Sequence, residues 1–118
     1  MNTILVVDDE VEILELFVEQ FADTRLNLVT AQNATAATEM VVQHKPDLII
    51  TDLLMPGIDG IEMLSQLRKL QPDMHIITMS GIGNEIYLKT SKMLGADISI
   101  TKPVDFTRLK SHLKGILS

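Results

Sequence analysis

Five polar side chains stand close behind short apolar runs, and their types suit phosphoryl and metal chemistry. Asp8 and Asp9 follow Ile4-Leu5-Val6-Val7, and Asp52 follows Leu48-Ile49-Ile50-Thr51. Ser80 and Gly81 come after His75-Ile76-Ile77-Thr78, and Lys102-Pro103 come after Ile98-Ser99-Ile100. Taken singly, each has a plain reading. Asp8 or Asp9 could cap a helix, Asp52 could open the turn Met55-Pro56-Gly57, Ser80 could be a loop residue and Lys102-Pro103 a solvated turn. Taken together they converge. Carboxylates held close repel one another, so one takes a proton or a cation settles among them. The donors are oxygens, there is no cysteine, and none of His44, His75 and His112 stands at the C-terminal end of a run. That set suits Mg2+, with Mn2+ as a substitute, and argues against zinc. Lys102 adds an ammonium and Ser80 a hydroxyl. A metal, an ammonium and a hydroxyl around one carboxylate form a site for a phosphoryl group carried on that carboxylate.

Such convergence requires elements that bring distant stretches to one place. The runs named above, with Leu28-Val29-Thr30-Ala31, read as five strands. The first and third are apolar at every position, as strands covered on both faces of a parallel sheet are. Between them lie segments of helical period. Val11, Leu14, Phe17, Val18 and Phe21 recur at three and four, with Glu12, Glu15 and Glu19 on another face. Phe106, Leu109, Leu113 and Leu117 repeat the pattern. Asp59 and Glu62 have capping-box spacing, Asn33, Asn84 and Asp105 read as N-caps of the second, fourth and fifth helices, and Gly95 as a C′ glycine. Alternating strands and helices predict an α/β doubly wound domain, a five-stranded parallel sheet with five helices. Right-handed crossovers put every strand's C-terminal end on one rim, where ligands of such sheets bind.

Composition sets the outer bounds. A chain of 118 residues fits one domain, read here as residues 1–118, and is 46% hydrophobic. Its 16 acids against 10 bases argue against direct nucleic-acid binding. No apolar run approaches the ~20 residues of a membrane span, and the start MNTILVVDDE lacks the basic region of a signal peptide. Zero cysteines exclude disulfides and thiol chemistry and are compatible with a cytoplasmic setting.

The segments Val6-Val7-Asp8-Asp9-Glu10, Pro46–Asp52, Met55-Pro56-Gly57-Ile58-Asp59-Gly60, Met79-Ser80-Gly81, Leu94-Gly95-Ala96 and Thr101-Lys102-Pro103 stand in the order and spacing of response-regulator receiver domains. The chain resembles that family over essentially its whole length. The resemblance implies the flavodoxin-like strand order 2-1-3-4-5. It implies a two-component phosphorelay in which Asp52 accepts a phosphoryl group from a phosphohistidine of a sensor histidine kinase or a histidine phosphotransfer protein. Asp9 would bind Mg2+ directly and Asp8 would assist, with Asp52 and the backbone carbonyl of Leu54 completing the protein ligands. Ser80 would hydrogen-bond one phosphoryl oxygen and Lys102 pair with another, across a cis Lys102–Pro103 bond. The domain would help its own phosphorylation and dephosphorylation and signal to a downstream effector protein, which makes it a signalling domain rather than an enzyme.

Some residues depart from the family pattern. Ser99 stands three before Lys102, where many members carry an aromatic residue that moves with the Ser/Thr; the chain's single tyrosine, Tyr87, reads as a packing residue. Leu54 and Ile82 would flank the phosphoryl site with apolar side chains and hinder an attacking water. Lys89, Lys92, Arg108, Lys110 and Lys114 make the last third basic, which suits an acidic partner surface. Met1 and the fit to one domain agree with a stand-alone protein or an N-terminal receiver. Two other function classes compete. A phosphatase-like hydrolase of the haloacid dehalogenase type would place Asp-x-Asp after the first strand, whereas Asp8 and Asp9 are adjacent. A flavodoxin-like FMN module would need a phosphate loop where Asp8-Asp9-Glu10 instead repels one.

Overall fold

The computed structural model describes residues 2–55, 58–81, 89, 92–93 and 95–117, with the backbone alone at 55, 58 and 59. The strands are β1 (Thr3–Val7), β2 (Asn27–Ala31), β3 (Leu48–Asp52), β6 (His75–Ser80) and β7 (Ile98–Thr101). Between β3 and β6 lies a two-residue ribbon, β4 (Leu54–Met55) antiparallel to β5 (Ile58–Asp59), which the sequence reading did not anticipate. The helices are α1 (Val11–Phe21), α2 (Ala34–His44), α3 (Gly60–Leu70) and α4 (Phe106–Leu117). α4 is thus the fifth helix of the sequence reading. The expected fourth falls largely outside the described residues, together with Asn84, Tyr87 and Ile82, although Lys89, Lys92 and Met93 are helical.

The main sheet is parallel throughout, in the order β2-β1-β3-β6-β7. Counting only its own strands, this is the expected 2-1-3-4-5. Alternate side chains of the central strands serve two separate cores. Leu5, Val7, Ile49 and Ile76 pack with Ala37 and Val41 of α2 and Met63, Leu64 and Leu67 of α3. Ile4, Val6, Leu48, Ile50, Ile77 and Met79 pack on the opposite face with Leu14, Phe17 and Phe21 of α1 and Leu109 and Leu113 of α4. Every residue of β3 is buried, which is why its run shows no polar alternation.

The helix ends follow their local chemistry. Asn33 Oδ1 accepts from the Ala36 N–H at 2.8 Å, and Asp105 Oδ1 from the Arg108 N–H at 3.1 Å. Gly95 has φ +90° and its N–H reaches the Lys92 carbonyl at 3.0 Å. The Gly95 carbonyl in turn accepts from Arg68 Nη2 at 3.1 Å, while Nη1 of the same guanidinium donates to the carbonyls of Pro72 and Met74. Asp97 Oδ2 accepts from the Ile76 N–H at 3.0 Å. Arg68 and Asp97 together tie the entries of β6 and β7.

Gly60 sets the position of α3 against the loop behind β3. A Cβ there would lie 2.4 Å from the Leu53 carbonyl oxygen and 2.8 Å from its Cα, so the two backbones touch. Gly60→Ala therefore forces the backbone next to Asp52 apart. We expect a loss of about 1–3 kcal/mol, the usual cost of overpacking, read as a lower midpoint in urea unfolding. A variant as stable as the wild type would show that α3 can shift freely.

Candidate functional site

The register of the sheet brings the five side chains to one rim. β1 and β3 pair from Ile4 with Leu48 to Val7 with Thr51, so Asp8 and Asp52 emerge side by side. Asp52 is alongside Met79, one residue before Ser80, and Ser80 is alongside Thr101, one residue before Lys102. Backbone bonds hold the strand ends there: the Asp8 N–H reaches the Ala31 carbonyl, the Leu53 N–H the Met79 carbonyl, and the Lys102 N–H the Ser80 carbonyl at 2.8 Å.

Asp8, Asp9 and Asp52 each offer a carboxylate oxygen within 4.8 Å of the others. Asp8 is fully buried, Asp52 is 6% exposed and Asp9 faces solvent. Burial of two acids at this spacing requires a counter-charge. Lys102 supplies it. Its Nζ lies 2.8 Å from Asp8 Oδ2 and 2.6 Å from Asp52 Oδ2. Burial alone would lower the lysine pKa, but the hydrogen bonds and charges of Asp52 and Asp8 outweigh it and hold the ammonium above its ordinary value. The peptide bond after it, Lys102–Pro103, is cis, as the resemblance implied.

The second oxygen of each buried acid is bound locally. Asp8 Oδ1 accepts from the Glu10 N–H at 2.9 Å, and Asp52 Oδ1 from the Leu54 N–H at 2.9 Å. Asp8 therefore makes a short turn before α1 instead of a cap on it; the residue at the N-cap position, Glu10, makes no side-chain capping bond. The capping reading of Asp8 and the isolated-turn reading of Asp52 both describe only half of what these carboxylates do.

Ser80 is the outlier in polarity. It is fully buried, and its Oγ has no hydrogen-bond partner among the described residues. An unpaired buried hydroxyl costs about 1–3 kcal/mol, a cost tolerated where a ligand supplies the missing partner. Ser99 is joined to Thr78 by a hydroxyl–hydroxyl bond of 2.7 Å across β6 and β7, a pairing that spacing alone did not reveal. Leu54, in the ribbon, exposes 39% of its surface. The capping role of Asp59 concerns a side chain outside those described, and Pro56 and Gly57 lie outside the described residues.

The donor set fits a hard divalent cation. It is all oxygen, carries up to three negative charges, and already accommodates one positive charge between Asp8 and Asp52. The same charges would repel the phosphate of a flavin nucleotide.

Comparison with known proteins agrees with this geometry. Residues 4–114 match the family model of the response regulator receiver domain. The chain is 32% identical to sporulation initiation phosphotransferase F of Bacillus subtilis, over 97% of this chain and 92% of that protein. It is 36% identical to the phosphate regulon transcriptional regulatory protein PhoB of Pseudomonas aeruginosa, over 98% of this chain but 52% of that protein. A crystal structure of a response regulator receiver domain protein from Clostridium thermocellum superposes with a TM-score of 0.91 at 26% identity, covering 99% of this chain and 94% of that one. The phosphatase-like and FMN-binding alternatives gain no support from these relatives. With five converging side chains, the 2-1-3-4-5 sheet and matches across the whole sheet, the chain belongs to the response regulator receiver domain family.

Proposed function

We propose that Asp52 is the phosphoacceptor of a two-component phosphorelay, with residues 1–118 acting as one receiver unit. The observation that carries the reading is the geometry around Asp52: a buried carboxylate joined to Lys102, beside Asp8 and Asp9, on the rim where the Ser80 hydroxyl, without a partner among the described residues, also ends its strand. An oxygen of Asp52 attacks the phosphorus of a phosphohistidine on a sensor histidine kinase or a histidine phosphotransfer protein. The P–N bond breaks, its electron pair returns to the imidazole, and an acyl phosphate forms on Asp52. Lys102 pairs with a phosphoryl oxygen, and Ser80 donates its hydroxyl to another.

Asp8, Asp9, Asp52 and the Leu54 carbonyl would hold Mg2+, with Mn2+ able to replace it. When bound, the ion neutralises charge that builds on the transferring phosphoryl group. The chain's own residues thus assist phosphorylation and the later hydrolysis, in which water takes the phosphoryl group off Asp52 as inorganic phosphate and restores the carboxylate. The downstream effector is a protein. A cytoplasmic location accompanies this reading; no described helix is long and apolar enough to cross a membrane.

Incubation with acetyl phosphate and Mg2+, followed by intact mass measurement, should add one hydroxylamine-labile phosphoryl group, absent in Asp52→Asn. No adduct from acetyl phosphate or from any phosphohistidine donor would sink the assignment.

Lys102→Met leaves Asp8 and Asp52 facing each other without a cation. At neutral pH we expect a loss of about 3–5 kcal/mol by urea unfolding without divalent ions. Because the folded-state pKa of Lys102 is raised, its stabilisation is complete below the unfolded value near 10.5 and fades as pH rises through the folded value. Mg2+ should raise the melting temperature of Lys102→Met more than that of the wild type, which must first release its own ion pair. An equal rise in both would separate the metal from this carboxylate pair.

Leu54→Asn should speed loss of the phosphoryl group, since an exposed apolar side chain beside the site is replaced by one that can bind water. An unchanged dephosphorylation rate would remove Leu54 from that role.

A further inference from the structure

The main sheet ends on β7 at one side and on β2 at the other, and the two edges are unlike. β7 is four residues long and runs into Lys102–Pro103, a charge and a proline of the kind that keeps an edge from pairing. β2 is Asn27-Leu28-Val29-Thr30-Ala31, with no charged residue and no proline, and its five residues pair with β1 without a bulge. The Asn27 N–H donates to the Asn2 carbonyl and the Ala31 carbonyl accepts from the Asp8 N–H, so residues 27, 29 and 31 turn their backbone groups toward β1. Those of Leu28 and Thr30 turn outward. Among the described residues, nothing bonds to them there.

Beside this edge lies a groove of 580 Å³ between α1 and the start of α2, lined by Val11, Val18, Thr30, Ala31 and Ala36. Val11 and Val18 are 43% and 51% exposed, large apolar side chains left in water. Glu15 and Glu19 stand on the α1 wall, both exposed, and among the described residues no base lines the groove.

We propose that β2 takes up an extended, basic segment of a partner protein as a sixth strand of the sheet. The open N–H and C=O groups of Leu28 and Thr30 supply the ladder, and the groove supplies the sequence preference. Leu28 and Thr30 direct their side chains to the α1 face, so alternate side chains of the added strand face α1 as well. α1 presents Val11, Glu15 and Val18 in that order over ~10 Å of helix rise. Three alternate side chains of a strand span ~13 Å, so an apolar, a basic and an apolar residue at every second position meet them in either chain direction. A second copy suits the edge poorly. Antiparallel pairing of β2 with itself about a two-fold axis sets α1 beside α1 on one face, with Glu15 and Glu19 beside their like. β1 stands between β2 and the strand that carries Asp52, so this docking does not draw on the phosphoacceptor reading.

The test is fluorescence anisotropy of a labelled peptide with the core valine, threonine, lysine, threonine, valine, titrated with the full chain. Saturable binding is expected, weakened at least about threefold when the peptide lysine becomes glutamate or when Glu15→Lys is used, and recovered when both changes are combined. Methylating the peptide's backbone nitrogens at alternate residues separates a strand from any other docking mode. One alternate set, the set turned toward β2, should lose at least about tenfold, and the other should bind as the parent does. Thr30→Pro removes an outward N–H and no bond to β1, so it should also block binding. Thermal unfolding checks each variant, and Glu15→Lys carries the test if Thr30→Pro does not fold. No saturable binding up to ~1 mM overturns the proposal, as does equal behaviour of the two methylated sets or indifference to Glu15→Lys. A chain that instead dimerises reversibly in sedimentation, and loses the dimer in Thr30→Pro, assigns the edge to a second copy and overturns it too.

Discussion

The ammonium of Lys102 sits between two buried carboxylates, and much of the rim depends on that arrangement. Asp8 and Asp52 are delivered by adjacent central strands whose residues are almost wholly buried, so neither acid can retreat to water. Without a cation between them, the strand ends would be pushed apart. The lysine comes from the far edge of the sheet, and its backbone is bonded to Ser80 before its side chain reaches the acids. One residue thus couples three strands by its charge and holds the Ser80 backbone by its own N–H. The cluster depends on a positive charge between its acids, and the ammonium supplies it.

The sheet was legible because its signals are local and redundant. β1 and β3 carry unbroken apolar runs, Ile4 to Val7 and Leu48 to Ile50, since both faces are covered, and the helices between strands keep a clear three-and-four period. Caps at Asn33 and Asp105 and the positive φ of Gly95 were readable from residue type alone, because each depends on chemistry within three residues. The five rim residues were legible as a set, since strand-end positions are implied once the strands are placed.

What could not be read depends on distance across the fold. Nothing in the sequence announces that Lys102 bridges Asp8 and Asp52, as against contacting only one of them. The Thr78–Ser99 bond joins residues 21 apart in sequence, and the Ser80 hydroxyl is singled out only by having no partner among the described residues. The β4–β5 ribbon was missed because two-residue strands have no periodicity to detect. The close approach of Gly60 to Leu53 depends on the tertiary position of α3, although a glycine at a helix start is itself a visible hint.

The tie that Arg68 and Asp97 make at the foot of β6 and β7 has a mechanical consequence. Ser80 and Lys102 stand at the other end of those two strands, and the strands are hydrogen-bonded along the distance between. A pair of rods riveted at the base and laced along their length cannot slide past one another. The backbones that carry Ser80 and Lys102 are therefore held like the two fixed jaws of a gauge, and their separation is a property of the sheet rather than of the loops. Motion at Ser80 is left to rotation of its own side chain.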